Sequence, residues 1–224
     1  MPKKEEPLLG LQKFLPAGTL DPVILYLQQY HVHLTVARER KSILGDYRHK
    51  THHSNHRISV NGNLNQYAFL ITLLHELAHL LTFEKWDNRV SSHGKEWKQL
   101  FGELLAQFIQ HNVFPADIKQ ALLQSLHNPA ASSCADEVLL RTLKNYDAKK
   151  DGLVFVEQLP AGALFATHDG RVFRKGEKLR KRYKCEEVKT KRMYLFSPVF
   201  EANPQEPPNP LKGALESDSS GSLQ

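Results

Sequence analysis

Two cysteines in 224 residues are too few for a disulfide-stapled scaffold or a four-thiolate metal site. Cys134 and Cys185 stand far apart in unlike segments, and both are expected to be reduced thiols. Long apolar runs are missing too, since no stretch reaches the roughly 20 residues that span a bilayer. The charges at Lys3, Lys4, Glu5 and Glu6 are followed by no apolar region of the kind that directs export. The expectation is a soluble cytoplasmic protein with no membrane partner. With 41% hydrophobic residues, the chain can build one full domain and a small second one.

What is present begins with His75-Glu76-Leu77-Ala78-His79, at the end of an apolar stretch. On a helix, residues four apart share a face, so His75 and His79 can bind one zinc ion through their imidazoles. Glu76 beside them can take a proton from a zinc-activated water, the chemistry of peptide hydrolysis. A catalytic zinc needs a third protein ligand. Thr82 and Lys85 occupy the positions where the metzincin spacing requires glycine and histidine. A second helix is therefore required. Trp97, Leu100, Phe101, Leu104, Leu105, Phe108 and Ile109 recur at helical spacing, with His93 one turn ahead of Trp97 and Ser91 or Ser92 as its cap. His93 is the favoured third ligand; Glu96 and Glu103 are the rival donors.

The first zinc helix is expected to start at Asn63 or Asn65 and to bury Ala68, Ile71, Leu74, Ala78 and Leu81. Upstream, Asp21-Pro22 opens a helix carrying Val23, Ile24, Leu27 and Tyr30. Strand candidates follow at 33–38, 43–48 and 57–60, the last before the Asn61-Gly62 turn. Two further helices fall at about 116–126 and 135–146. His49, His52, His53 and His56 lack a regular spacing and read as a solvated loop.

Residues 171–192 hold eleven Lys/Arg against three acids, 11 − 3 = +8, so the chain's net charge of +6 comes from this segment and the rest sums to 6 − 8 = −2. The bases are Arg171, Arg174, Lys175, Lys178, Arg180, Lys181, Arg182, Lys184, Lys189, Lys191 and Arg192. Strand candidates at 153–156, 163–167, 171–174, 180–185 and 192–196, with turn signals at Asp169-Gly170 and Lys175-Gly176, suggest a small sheet or barrel. Phe173, Tyr183, Tyr194 and Phe196 interleave with the cations, a composition suited to phosphates and stacked bases. No base-reading motif accompanies them, so the expected partner is nucleic acid, chiefly DNA, without sequence specificity.

The order of these features resembles the SprT-like zinc metalloprotease family (SprT/Spartan-type), whose members include enzymes that degrade proteins crosslinked to DNA. The likeness is most specific from Ile58 to Trp97: strand, Asn61-Gly62 turn, His75-Glu76-x-x-His79 helix and His93-Gly94-x-x-Trp97. It implies an α+β fold, with a zincin-like catalytic domain of helices packed on a small antiparallel sheet over residues 10–150. A basic β-rich module at 151–202 would follow, between a flexible segment at 1–9 and a disordered tail at 203–224. It further implies one zinc ion on His75, His79 and His93, with Glu76 as general base, and a peptide bound in extended form at the sheet edge. Many bacterial relatives carry a four-cysteine zinc ribbon at the carboxyl end. Only Cys185 stands in that segment here, so the module reads as a metal-free relic of one. The implied function is a zinc endopeptidase that cleaves DNA-associated or DNA-crosslinked proteins, cytoplasmic and, through DNA, nucleoid-associated. The competing reading is a non-proteolytic DNA-binding or stress-response accessory protein with a structural zinc.

Overall fold

The fold is known from a computed structural model that describes residues 8–40, 43–126, 136–148 and 152–205. The chain divides into two compact units, residues 1–148 and 149–224. Cys134, residues 1–7 and residues 206–224 lie outside the described residues. The expected flexible start and disordered tail both shrink at their borders, because Leu8 and Leu9 begin a 3₁₀ helix (Leu8–Phe14) and Asn203 to Gln205 belong to a strand.

In the first unit, helix α1 (Leu20–Gln29) precedes strands β1 (His33–Ala37), β2 (Gly45–Arg48) and β3 (Arg57–Asn61). Helices α2 (Gln66–Trp86), α3 (Lys95–Gln110), α4 (Ala116–Ser125) and α5 (Glu137–Lys144) follow. Thr19, not Asp21, precedes α1, and its hydroxyl bonds to the Pro16 carbonyl at 2.7 Å instead of capping the helix. Asp21 falls within the first turn, where its charge suits the helix dipole.

The sheet differs from the antiparallel one expected. Its order is β1-β3-β2, with β1 parallel to β3 and β2 antiparallel to it. The physical cause is a strap across β3. Arg40 donates to Asn61 Oδ1 at 2.8 Å and Ser59 Oγ at 2.9 Å, while Asn61 Nδ2 donates to the Arg40 and Ile43 carbonyls. The chain leaving β1 is thus carried over β3, and β2 becomes an edge strand.

Asn65 caps α2 by accepting the Ala68 N–H at 3.0 Å, and its amide donates to the Leu143 carbonyl beyond the core. The expected apolar stripe was too narrow: Ala68 and Leu81 are only partly buried, whereas Phe69, Leu70, Leu73, Leu77 and Leu80 are fully buried. The helix is covered on several sides. Thr72 and Thr82 tolerate burial because each hydroxyl bonds to the carbonyl four residues back, at 2.8 and 2.7 Å.

The second unit is a six-stranded sheet ordered β4-β9-β5-β6-β7-β8. The strands are β4 (Val154–Phe155), β5 (Leu164–Ala166), β6 (Val172–Leu179), β7 (Arg182–Glu187), β8 (Met193–Phe196) and β9 (Glu201–Gln205). Its core is Val156, Leu159, Phe165, Phe173, Cys185, Phe196 and Ala202. Lys175-Gly176, expected as a turn, lies inside β6 as a bulge. Register passes from Lys175 opposite Cys185 to Lys178 opposite Tyr183, three steps against two. The actual turn is Arg180-Lys181, with Arg180 at φ 45°.

Candidate metal centre

Helical spacing and a tight turn bring the three histidines together. His75 and His79 lie one turn apart on α2, and His93 sits in the turn before α3. The His75 Nε2 is 3.2 Å from the His79 Nε2 and 3.3 Å from the His93 Nε2. Four donors at the corners of a tetrahedron, each about 2.0–2.1 Å from its centre, stand about 3.3–3.4 Å apart. The triad therefore fits one small tetrahedral cation. Among the described residues it is the only His/Cys/Asp/Glu group so arranged.

His93 precedes the helix instead of opening it. Gly94 is the N-cap residue, with no side-chain cap from Ser91 or Ser92. Its N–H bonds to the Ser91 carbonyl at 2.9 Å, and an added Cβ would lie 3.1 Å from that oxygen. Glycine permits this close turn. The rival donors point elsewhere: Glu103 accepts from Gln99 at 2.9 Å, and Glu96 stands 3.8 Å from Lys95.

Burial sets the electrostatics. It depresses His75 to a pKa of about 3, with His79 and His93 adding to the effect, and His79 to about 4, with a contribution from His93. His93 is lowered by burial alone. All three are neutral at pH 7 and offer lone pairs, as metal binding demands. Trp97, fully buried, walls the triad with ring centroids 4.7 Å from His75 and His93 and 5.3 Å from His79.

Glu76 is 6% exposed and makes no hydrogen bond or ion pair among the described residues. Burial raises its carboxyl to a pKa of about 8, helped by Asp46 and opposed by Arg40. Gly45 on β2 makes room for it, since a Cβ there would come within 2.9 Å of Glu76 Cδ and 2.8 Å of Thr72 Cγ2.

A family model described as the SprT-like family matches residues 22–120, a span that holds the whole triad and Glu76. This segment is SprT-like. No curated protein and no solved structure matched the chain. The SprT-like family is associated with metallopeptidase-type activity, and the His triad of this SprT-like segment could hold a metal. No helix among the described residues is long and apolar enough to cross a membrane.

His56, just before β3, is a residue that sequence reasoning misplaced. His56, expected in a solvated loop, is 2% exposed. Its signal was strand alternation: His56, Ile58 and Val60 are all buried, and successive pairs on one face of a strand are two apart.

In the second unit the eleven cations separate. Lys175 is buried, donates to the Glu157 carbonyl at 3.1 Å and to the Leu159 carbonyl, and lies 4.3 Å from the Tyr183 ring. Arg171 pairs with Asp169 at 3.0 Å, and Lys191 with Glu186 at 3.1 Å. Lys178, Arg180, Lys181 and Arg182 are exposed at the β6–β7 turn, and Lys184 is half-buried behind them. Arg174 is exposed in β6; Lys189 and Arg192 are exposed at the β7–β8 turn. The expected stacking platform is corrected: Phe173 and Phe196 belong to the core, their rings packed 4.8 Å apart.

Proposed function

We propose that the chain is a zinc-dependent endopeptidase of the SprT-like type that acts on DNA-associated or DNA-crosslinked proteins. The observation that supports this reading best is three converging Nε2 atoms beside a buried, unpaired carboxylate. A structural zinc site has no use for such a base. Zinc bound to His75, His79 and His93 would supply Lewis acidity, lowering the pKa of a water to about 7 and polarising the scissile carbonyl. Glu76 takes the proton from the attacking water and delivers it to the leaving amine. Burial raises the proton affinity of the ionised carboxylate, so this form is the one that accepts the water proton, and the carboxyl it becomes is the one that delivers it. The free edge of β2 offers backbone groups to an extended peptide.

The exposed cations of the β6–β7 turn, with Arg174, Lys189 and Arg192, would hold the enzyme on phosphates without reading sequence. Lys175 is buried, Arg171 and Lys191 are paired with acids at the surface, and these three are poorer candidates. The test is cleavage of a DNA-bound protein by zinc-loaded protein and by Glu76→Gln. The variant should keep its zinc and lose at least about 100-fold in rate. Undiminished cleavage by the variant would remove Glu76 from the mechanism, and a zinc-loaded wild type that cleaves nothing would remove the peptidase.

A further inference from the structure

In the first unit the proposed reaction leaves the buried His56 unused, and its partners lead back to the metal centre. Its Nε2 lies 3.2 Å from Glu84 Oε1, and its Nδ1 lies 2.9 Å from the Tyr47 hydroxyl. The Lys50 backbone N–H stands 3.3 Å from Nδ1. That group can only donate, so Nδ1 accepts and Nε2 carries the proton that goes to Glu84. The Tyr47 O–H therefore also donates to Nδ1. The same Oε1 of Glu84 is also held by Lys50 Nζ at 2.7 Å.

At the far end of this chain, the Tyr47 ring lies parallel to that of His79, with centroids 6.3 Å apart and planes 5° apart. This is within the range of offset stacking. Glu84 and His79 both belong to α2, so the contacts leave the helix at one residue and return to it at the other, through β2 and the start of β3. The ring torsion of a histidine is intrinsically broad. No hydrogen bond among the described residues reaches His79 Nδ1, so packing must set its plane. Trp97 is tilted by 33° to the His79 ring, whereas Tyr47 is parallel to it. With its O–H committed to His56, Tyr47 is not a free donor for a developing oxyanion.

We propose that Tyr47 is a positioning residue of the metal centre: the Glu84–His56–Tyr47 chain holds its ring flat against His79 and fixes the plane in which that imidazole presents Nε2. This rests on His75, His79 and His93 being metal ligands, and not on peptidase activity.

The test uses the full chain as wild type, Tyr47→Phe and Glu84→Gln, with two readouts: zinc affinity by chelator competition, and the visible absorption of the cobalt-loaded protein. Tyr47→Phe keeps the ring but frees it, and should weaken zinc about 10-fold, the low end for groups that orient ligands, with an altered cobalt band. Glu84→Gln should shift both readouts in the same direction by less. Wild-type affinity and an unchanged band in both variants overturn the proposal, and so does a lowered melting temperature with an unchanged band. Should Tyr47→Phe fail to fold, Glu84→Gln decides by the same criteria. A wild type that binds no zinc overturns the metal reading and this proposal together. A wild type that binds zinc without cleaving protein overturns the peptidase alone, and then the affinity and band shifts still support the role of Tyr47.

Discussion

The two units use polar residues in opposite ways. Around α2 and α3 the ionisable groups are drawn inward, and burial keeps three imidazoles neutral and biases one carboxyl toward its acid form. In the second unit the charges stay outside, except for the buried Lys175 and Glu187, while Arg171 and Lys191 pair with acids at the surface. A converging site can thus be read from residue spacing, because the helix period fixes which side chains meet. A charge run on paired strands cannot, because register and bulges decide which cations remain accessible.

The contrast is tested first at its strongest point. Groups that only orient ligands already cost roughly 10–100-fold in metal affinity when removed. Loss of a ligand in His93→Ala should therefore weaken zinc by at least about 100-fold, measured by chelator competition. Near-normal affinity would mean that the triad is incomplete as drawn. Next comes the close approach of β2. Gly45→Ala forces Glu76 to shift and should slow cleavage by about 10–100-fold while zinc affinity stays within a few-fold, since catalysis is sensitive to displacements of about 1 Å.

For the basic unit, replacing Arg180, Lys181 and Arg182 together by Gln should reduce the slope of log affinity for DNA against log salt by about 2–3. Lys175→Gln should instead lower the melting temperature of the second unit and leave that slope unchanged. If the two variants behave alike, the division of the cations is wrong.

The smallest effect is the pH dependence of the metal-free protein. Below pH 6.5 the unfolded chain protonates histidines that the folded site keeps neutral, down to about pH 3 for His75 and about 4 for His79, so stability rises with pH. Between 4.5 and about 8 the folded Glu76 holds a proton that the unfolded chain has released, so its contribution falls with pH. Two histidines outweigh one glutamate below 6.5, and Glu76 acts alone above it. Thermal melting across pH should show the site's contribution peaking near 6.5, and Glu76→Gln should remove its alkaline decline.

Much of the centre was legible beforehand. The i,i+4 spacing of His75 and His79, the Asn65 cap and the stripe from Trp97 to Ile109 follow from local rules that hold wherever a helix forms. The surroundings were not. His56 looked like one of four loop histidines until strand pairing placed it beneath Tyr47, and Phe173 looked like a stacking ring until it closed a core.

By itself, then, the sequence determined the helix that carries His75, Glu76 and His79 and the sign of the second unit's charge, because these depend on covalent order and helical period. Tertiary structure alone decided that β2 lies on the far side of β3, that Gly45 clears the space for Glu76, that Tyr47 rests on His79, and which cations stay outside. Those outcomes depend on contacts between segments distant along the chain, whose register no local pattern specifies.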